Sequence, residues 1–271
     1  MNLLFCGNSG VFDGITTALL SLMLRSRIDS PVRVYIFTMD LRELDEKYTP
    51  VTKEQCQALE GLMRKYAPFS QIILKDVTAL YREHFAGCPN EDAYCSPYTL
   101  IRLFADLVID EDKLLYLDAD VLFNRGAELL YNVDVEGYEY AAAGDHYGKY
   151  LIRYDYINAG VLLFNMKCAR ETGLFEKARN EIKKKKLVFA DQSAIIRATT
   201  RKKLLPVRFN DQKFLHKNTV VRHFSKRLFW LPYPHTDNVK PWHVERVHQI
   251  FRYRQFDDIF EQYISFKEHL L

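Results

Sequence analysis

Two carboxylates, Asp118 and Asp120, flank a single alanine at the end of Lys113-Leu114-Leu115-Tyr116-Leu117. The last four residues of that segment are apolar or aromatic, and they read as a buried strand. Side chains two apart on an extended chain point the same way, so both carboxylates can converge just beyond the strand end. Converging carboxylate oxygens suit a hard divalent cation such as Mg²⁺ or Mn²⁺. In open α/β sheets, ligands bind outside the carboxyl ends of the strands. The alternative is a solvated turn, because turns favour aspartate. The apolar strand directly upstream favours the metal site.

The elements that must position this pair alternate along the chain. Residues 2–6 read as a first strand and 7–10 as the turn after it. Asp13 is expected to cap a helix running to about residue 27, with Ala18, Leu19, Leu22 and Met23 at helical spacing. Val32, Val34 and Ile36 alternate in a second strand over 31–38. Thr52-Lys53-Glu54-Gln55 forms a capping box for a helix to about residue 66. A third strand covers 71–74, and 83–94 reads as loop. Ser96-Pro97 is an N-cap followed by proline at the first helical position. That helix presents Leu100, Leu103, Phe104 and Leu107 on one face and Arg102 on another. Residues 138–143 and 160–164 are strand candidates. A helix over 167–186 ends in four lysines that complement its dipole. Asp191 opens a helix over 192–198, and 219–221 is a late strand leading to Arg222-His223-Phe224. Strands separated by helices imply parallel βαβ units and an α/β fold.

The chain has 271 residues, of which 48% are hydrophobic, enough for one large domain with a small appendage. Lys and Arg total 38 against 35 Asp and Glu, so charge provides no argument for a nucleic-acid partner. Cys6, Cys56, Cys88, Cys95 and Cys168 form no Cys-x-x-Cys pair and read as reduced thiols that pack rather than bind zinc. The first residues lack a signal-peptide pattern, and the apolar stretch 15–24 is too short to span a bilayer. The expected location is cytoplasmic.

Six segments, in this order, carry a resemblance over residues 3–242. They are Tyr98-Thr99-Leu100-Ile101-Arg102-Leu103, the stretch 113–121, Ile157-Asn158-Ala159-Gly160-Val161-Leu162-Leu163-Phe164-Asn165, Ala190-Asp191-Gln192, Arg222-His223-Phe224 and Lys240-Pro241-Trp242. The chain resembles the retaining glycosyltransferases of family 8, the group holding bacterial lipopolysaccharide galactosyl- and glucosyltransferases and glycogenin. The resemblance implies a GT-A fold, with a Rossmann-like nucleotide-binding half (about 1–123) fused to an acceptor and catalytic half (about 124–242) around a mixed, mostly parallel sheet. A helical tail, 243–271, follows. It implies a UDP-glucose or UDP-galactose donor, Mn²⁺ with Mg²⁺ as the substitute, and a saccharide or glycolipid hydroxyl as acceptor. Asp118 would contact ribose and metal, and Asp120 and His223 would complete the metal ligands. Cys6, Gly7, Asn8, Arg102, Ala119, Asn158, Gly160 and Lys240 would line the donor site, Lys240 pairing with the diphosphate as a point charge. Gln192, Asp191 and Asp145 would act at the sugar. An amide is a poor nucleophile, so Gln192 would stabilise an oxocarbenium during front-face attack.

The chain departs from the family pattern in two places. Acidic residues common after the first strand are replaced by Cys6-Gly7-Asn8-Ser9-Gly10, where Asn8 can still offer a donor and an acceptor to uracil. Residues 225–239 are an insertion containing Trp230 and His235, which makes His235 the rival third ligand. The insertion is expected either to cover the site or to form a surface excursion. Two other functions fit parts of the pattern: a haloacid-dehalogenase-type phosphatase with Asp118 as nucleophile, and a nucleotide-sugar-binding protein without turnover. The tail carries Val247, Ile250, Phe251, Phe256, Ile259, Phe260, Tyr263 and Phe266. It reads as a stripe that either touches the inner face of a membrane or packs on its own domain.

Overall fold

The computed structural model describes residues 1–91, 96–229 and 231–269. Cys95 and Trp230, and the end of the loop expected to reach residue 94, lie outside the described residues. The strands, in chain order, are β1 (Asn2–Cys6), β2 (Arg33–Thr38), β3 (Gln71–Asp76), β4 (Lys113–Leu117), β5 (Val121–Phe123), β6 (Tyr140–Ala143), β7 (Val161–Asn165), β8 (Lys202–Leu205), β9 (Val221–His223), β10 (Arg227–Phe229) and β11 (His235–Asp237). The main sheet has the order β3-β2-β1-β4-β7-β6-β8. It is parallel throughout except for β7, which runs against both β4 and β6. It is thus the mixed, mostly parallel sheet expected. Two small antiparallel pairs, β5 with β9 and β10 with β11, lie outside it.

Strand alternation divides the core in two. Leu3 and Phe5 of β1 and Leu115 and Leu117 of β4 face one cluster, closed by the helix Phe12–Arg25. Leu4 and Tyr116 face the other, closed by the segment Pro97–Phe104 and the helices Leu174–Lys184 and Ala190–Ala198. Because both faces are covered, β4 is a continuous apolar run with no polar alternation.

The capping box at Thr52 is present, its hydroxyl accepting from Gln55 N–H and the Gln55 side chain accepting from Thr52 N–H. Other expectations need correction. Asp13 is not a cap: Val11 holds that position, and Asp13 sits in the first turn and pairs with Lys267 at 2.8 Å. The stretch read as loop from residue 83 begins inside a helix, Thr78–Phe85, which buries Tyr81 and Phe85. The helix after Ser96 is a 3₁₀ segment followed by one α-turn, so Leu107 turns outward while Arg102 turns in. The helix over 167–186 breaks at Gly173, whose φ of 68° is left-handed.

The insertion over 225–239 contains the β10–β11 hairpin, with Leu231 and Tyr233 exposed. In the tail, Val247, Phe256, Ile259, Phe260 and Tyr263 are buried in the same cluster as the helix Phe12–Arg25. The stripe that could have met a bilayer is therefore committed to the domain. No helix among the described residues is long and apolar enough to cross a membrane. Cys6, Cys56, Cys88 and Cys168 are free thiols.

Candidate functional site

Strand register assembles the site. β1 and β4 are parallel neighbours, so the chain leaves β1 at Cys6 beside the point where it leaves β4 at Asp118. Opposite, Leu117 pairs with Val161, and Asp118 N–H donates to the Gly160 carbonyl at 2.8 Å. Val121 of β5 pairs with His223 of β9, and Phe224 N–H donates to the Asp120 carbonyl at 2.8 Å. These pairings bring Asp118, Asp120 and His223 together, with one ligand atom from each within 4.8 Å of the others. No other such group of three occurs among the described residues. His223 Nε2 lies 3.1 Å from Asp120 and 3.8 Å from Asp118.

Gly160 closes the cradle. A Cβ there would lie 2.3 Å from His223 Cε1 and 2.7 Å from Asp118 Oδ2, so only glycine permits this approach. Two carboxylates and an imidazole around a space that one methyl group would fill are a donor set that fits a divalent cation. His235, the rival ligand, lies in the hairpin, stacked on Phe229 at 5.5 Å and donating through Nδ1 to the Tyr233 carbonyl.

Arg102 is the hub behind the aspartates. It is 3% exposed and contacts Asp118 at 3.1 Å and Asp191 at 3.2 Å. It also donates to the carbonyls of Thr99 and Ala159 and lies 3.9 Å above the Tyr116 ring. Arg102 is therefore an interior side chain and not a surface one. Burial works against its charge, but Asp191, Tyr116 and Asp118 outweigh burial and keep it protonated. Asp191 does not cap its helix, where Phe189 holds the cap position; it is buried beside Arg102. Burial raises its pKa against the pull of that arginine. Tyr116 donates from its hydroxyl to Asp118 at 2.6 Å, a contact that sequence reading missed because the residue is hidden in the strand pattern.

Asp120 has a different environment. Burial opposes its ionisation, yet Lys240 and His223 prevail and hold its carboxyl well below the usual range. Lys240 Nζ donates to Asp120 at 2.5 Å. Trp242 is fixed by packing: a Cβ on Gly14 would meet both its ring and the Ala119 carbonyl at 2.5 Å. A cavity of ≈ 270 Å³ opens here, and every donor-side candidate except Asn158 and Gly160 lines it. Asn8 already donates to the Lys47 carbonyl at 3.1 Å, and Gly7 N–H is committed to Phe37 O. Burial pushes the Cys6 thiol up, so it is neutral.

The remaining candidates lie on the other side of Gly160. Gln192 accepts from Ala159 N–H through its amide oxygen at 3.0 Å. Asp145 accepts from Asn158 Nδ2 at 3.0 Å and from Gly148 N–H at 2.7 Å. Asp145 and Asn158 border a second cavity of ≈ 310 Å³, walled by Leu151, Ile152 and Phe189 and by Gln212, Lys213 and Arg227. Asn210 and Gln212, both buried, also join this network and carry no signal in the sequence. A larger open depression of ≈ 990 Å³ at the β8 edge contains none of the candidates.

The family model for glycosyl transferase family 8 matches residues 46–245. Among curated sequences, the chain is 32% identical over 111 residues to a putative glycosyltransferase of Haemophilus influenzae, covering 37% of this chain and 34% of that protein. It is 26% identical over 163 residues to glycosyltransferase GlyA of Streptococcus pneumoniae, covering 60% and 20%. It thus spans about a third or less of these relatives' lengths. Among solved structures, galactosyltransferase LgtC in complex with donor and acceptor sugar analogs superposes with a TM-score of 0.66 at 19% identity, over 98% of this chain and 96% of that one. The glycosyltransferase GlyE of Streptococcus pneumoniae gives 0.65 at 18% identity, over 97% and 63%. At such identities the likeness establishes the fold, which is GT-A. With the family model matched over most of its length, the chain belongs to glycosyl transferase family 8.

Proposed function

We propose that this chain is a retaining, metal-dependent hexosyltransferase that moves glucose or galactose from a UDP-sugar to a hydroxyl of a saccharide or glycolipid acceptor. The observation that carries the reading is the convergence of Asp118, Asp120 and His223 on one point, with both aspartates lining the ≈ 270 Å³ cavity. The phosphatase alternative does not accord with the family assignment. The proposed domain runs over 1–242, with nucleotide-binding and acceptor halves meeting near residue 123, and 243–271 is a C-terminal tail whose buried residues Val247, Phe256, Ile259, Phe260 and Tyr263 pack on the domain.

In this reading Asp118, Asp120 and His223 would hold Mn²⁺, or Mg²⁺ in its place. The bound ion supplies Lewis acidity to the departing diphosphate. The residues supply the rest. Lys240, now paired with Asp120, gains a second anionic partner when a diphosphate enters and offsets the charge that develops as the sugar–oxygen bond breaks. Asn8 and the backbone near Cys6 and Gly7 face the uracil end, with Asp118 at the ribose and Ala119 lining the donor site beside it. Arg102 holds Asp118 and Asp191 in place, so Asp191, Asn158 and Gly160 present fixed groups to the sugar. Gln192 keeps one lone pair on Ala159 N–H and offers the other to positive charge at C1. With no better nucleophile assigned, the acceptor attacks from the leaving-group face. Asp145 orients its hydroxyl.

The test is UDP release from UDP-glucose and UDP-galactose with Mn²⁺ or with EDTA. Metal-dependent release that Asp120→Asn abolishes is the expected result. Full release in EDTA would overturn the reading. UDP binding without release across an acceptor panel would instead identify a binding protein.

A further inference from the structure

The buried amides beside His223 form a chain whose direction can be worked out from its ends. Gly160 N–H donates to Asn158 Oδ1 at 3.0 Å. A backbone N–H can only donate, so the Asn158 atom facing it is the oxygen. Asn158 Nδ2 then points to the Asp145 carboxylate at 3.0 Å, which can only accept. Asn210 approaches the same Asn158 oxygen at 2.9 Å, and must do so with its own Nδ2. That leaves Asn210 Oδ1 facing His223 Nδ1 at 3.0 Å. An amide oxygen accepts, so Nδ1 carries the hydrogen and Nε2 is the nitrogen turned toward Asp120 and Asp118. Both ends of the chain agree, and neither relies on the choice of histidine tautomer.

We infer that Asn210 is a positioning residue. It fixes the ring orientation and tautomer of His223 so that Nε2 is presented to a divalent cation, and it ties the ring, through Nδ1 and Asn158, to Asp145 on the acceptor side. Asn210 is 1% exposed, so water does not compete for its amide. All donors in the run point one way, from His223 to Asp145, the arrangement in which hydrogen bonds polarise one another. Metal-bound histidines are commonly oriented by such a partner on the second ring nitrogen. Nothing in the sequence around Asn210 announces this, because the pairing depends on residues 208–211 running beside β9.

The inference rests on the metal reading above, and the experiment separates the two. Mn²⁺ binding is measured directly, by loss of the free-ion EPR signal in the presence of UDP. Wild type, Asp120→Asn, Asn210→Ala and Asn210→Asp are compared, and UDP affinity without metal serves as the control. Asn210→Ala removes the acceptor for Nδ1 and is expected to weaken Mn²⁺ binding by about 10- to 100-fold. Asn210→Asp keeps an acceptor for Nδ1 but loses the donor to Asn158. It is expected to retain most of the Mn²⁺ affinity while raising the acceptor KM. A merely structural role would lower the melting temperature of both variants without separating them in metal affinity. Should the alanine variant fail to fold, Asn210→Ser makes the same cut with a polar side chain. Wild-type Mn²⁺ affinity in Asn210→Ala or Asn210→Ser, or equal losses in the alanine and aspartate variants, overturns the inference alone. Equal Mn²⁺ binding by wild type and Asp120→Asn overturns the metal reading and this inference with it.

Discussion

The two sides of Gly160 are built differently. On the donor side the two aspartates are each held by at least two partners. Asp118 is held by Arg102, Tyr116 and a sheet hydrogen bond; Asp120 is held by Lys240 and His223. On the acceptor side the cavity wall passes through the short helix Gly148–Leu151 and its flanks, where Tyr147, Leu151 and Ile152 line the cavity and are all substantially exposed. Cross-braced charge preorganises a site for one constant ligand class, whereas an exposed apolar rim is a surface that sequence can change without disturbing the sheet. Under the proposed function, that is the expected division of labour.

If the donor side is the rigid half, breaking it should have the largest effects. Asp120→Asn removes a ligand and leaves Lys240 with a neutral partner. We expect UDP release to fall by about 10³-fold or more, with little change in melting temperature. A loss under tenfold would mean that Asp120 is not where the diphosphate charge is met. Arg102→Met tests the brace itself. It strands Asp118 and Asp191 around a buried gap, so it is expected to destabilise the fold by about 3–5 kcal/mol. Chemical denaturation reads that number, and near-zero destabilisation would show that the two acids find other partners.

The same contrast explains what could be read from the sequence. β1, β4 and β7 were legible because strands buried on both faces are apolar runs, β2 was legible from the alternation of Val32, Val34 and Ile36, and Asp118 and Asp120 were legible because they end one of these strands. The capping box at Thr52 was legible because it is local. Arg102 was visible as a charge but not as a hub, since its partners Asp118 and Asp191 come from separate elements. Asn210 and Tyr116 were invisible for the same reason: a side-chain hydrogen bond across the sheet leaves no periodic trace. The helix Thr78–Phe85 was missed because only Tyr81 and Phe85 face the core, too few to set a period.

A third substitution probes the acceptor side. Leu151 is 80% exposed on the cavity rim, so Leu151→Asp should leave stability and UDP-sugar KM unchanged. With the acceptor identified by UDP release, its KM should rise by about tenfold if the rim buries that leucine on binding. An unchanged acceptor KM would move the acceptor off this wall and blunt the contrast.

The smallest effect concerns the tail, which stands behind the rigid half. Arg25 reaches Asp258 with both terminal nitrogens at 2.7 Å, fastening the helix Asp257–Glu268 to the helix that carries Gly14 beneath Ala119. The bond to Arg25 lowers the Asp258 pKa, with burial opposing it. A carboxylate whose folded pKa lies below its unfolded value stabilises the fold above that unfolded value, and the benefit fades as pH falls through the folded one. The Asp258 side chain is 54% exposed, so solvent screening limits the pair to about 0.5 kcal/mol. Asp258→Asn should therefore lower the melting temperature by about 1–2 °C at pH 7. The difference from wild type should shrink as the pH is taken below about 4, where the unfolded carboxyl takes up its proton. A gap that persists in acid would mean that the tail is held there by shape and apolar contact alone, leaving the charge pair no part in fastening it to the donor half.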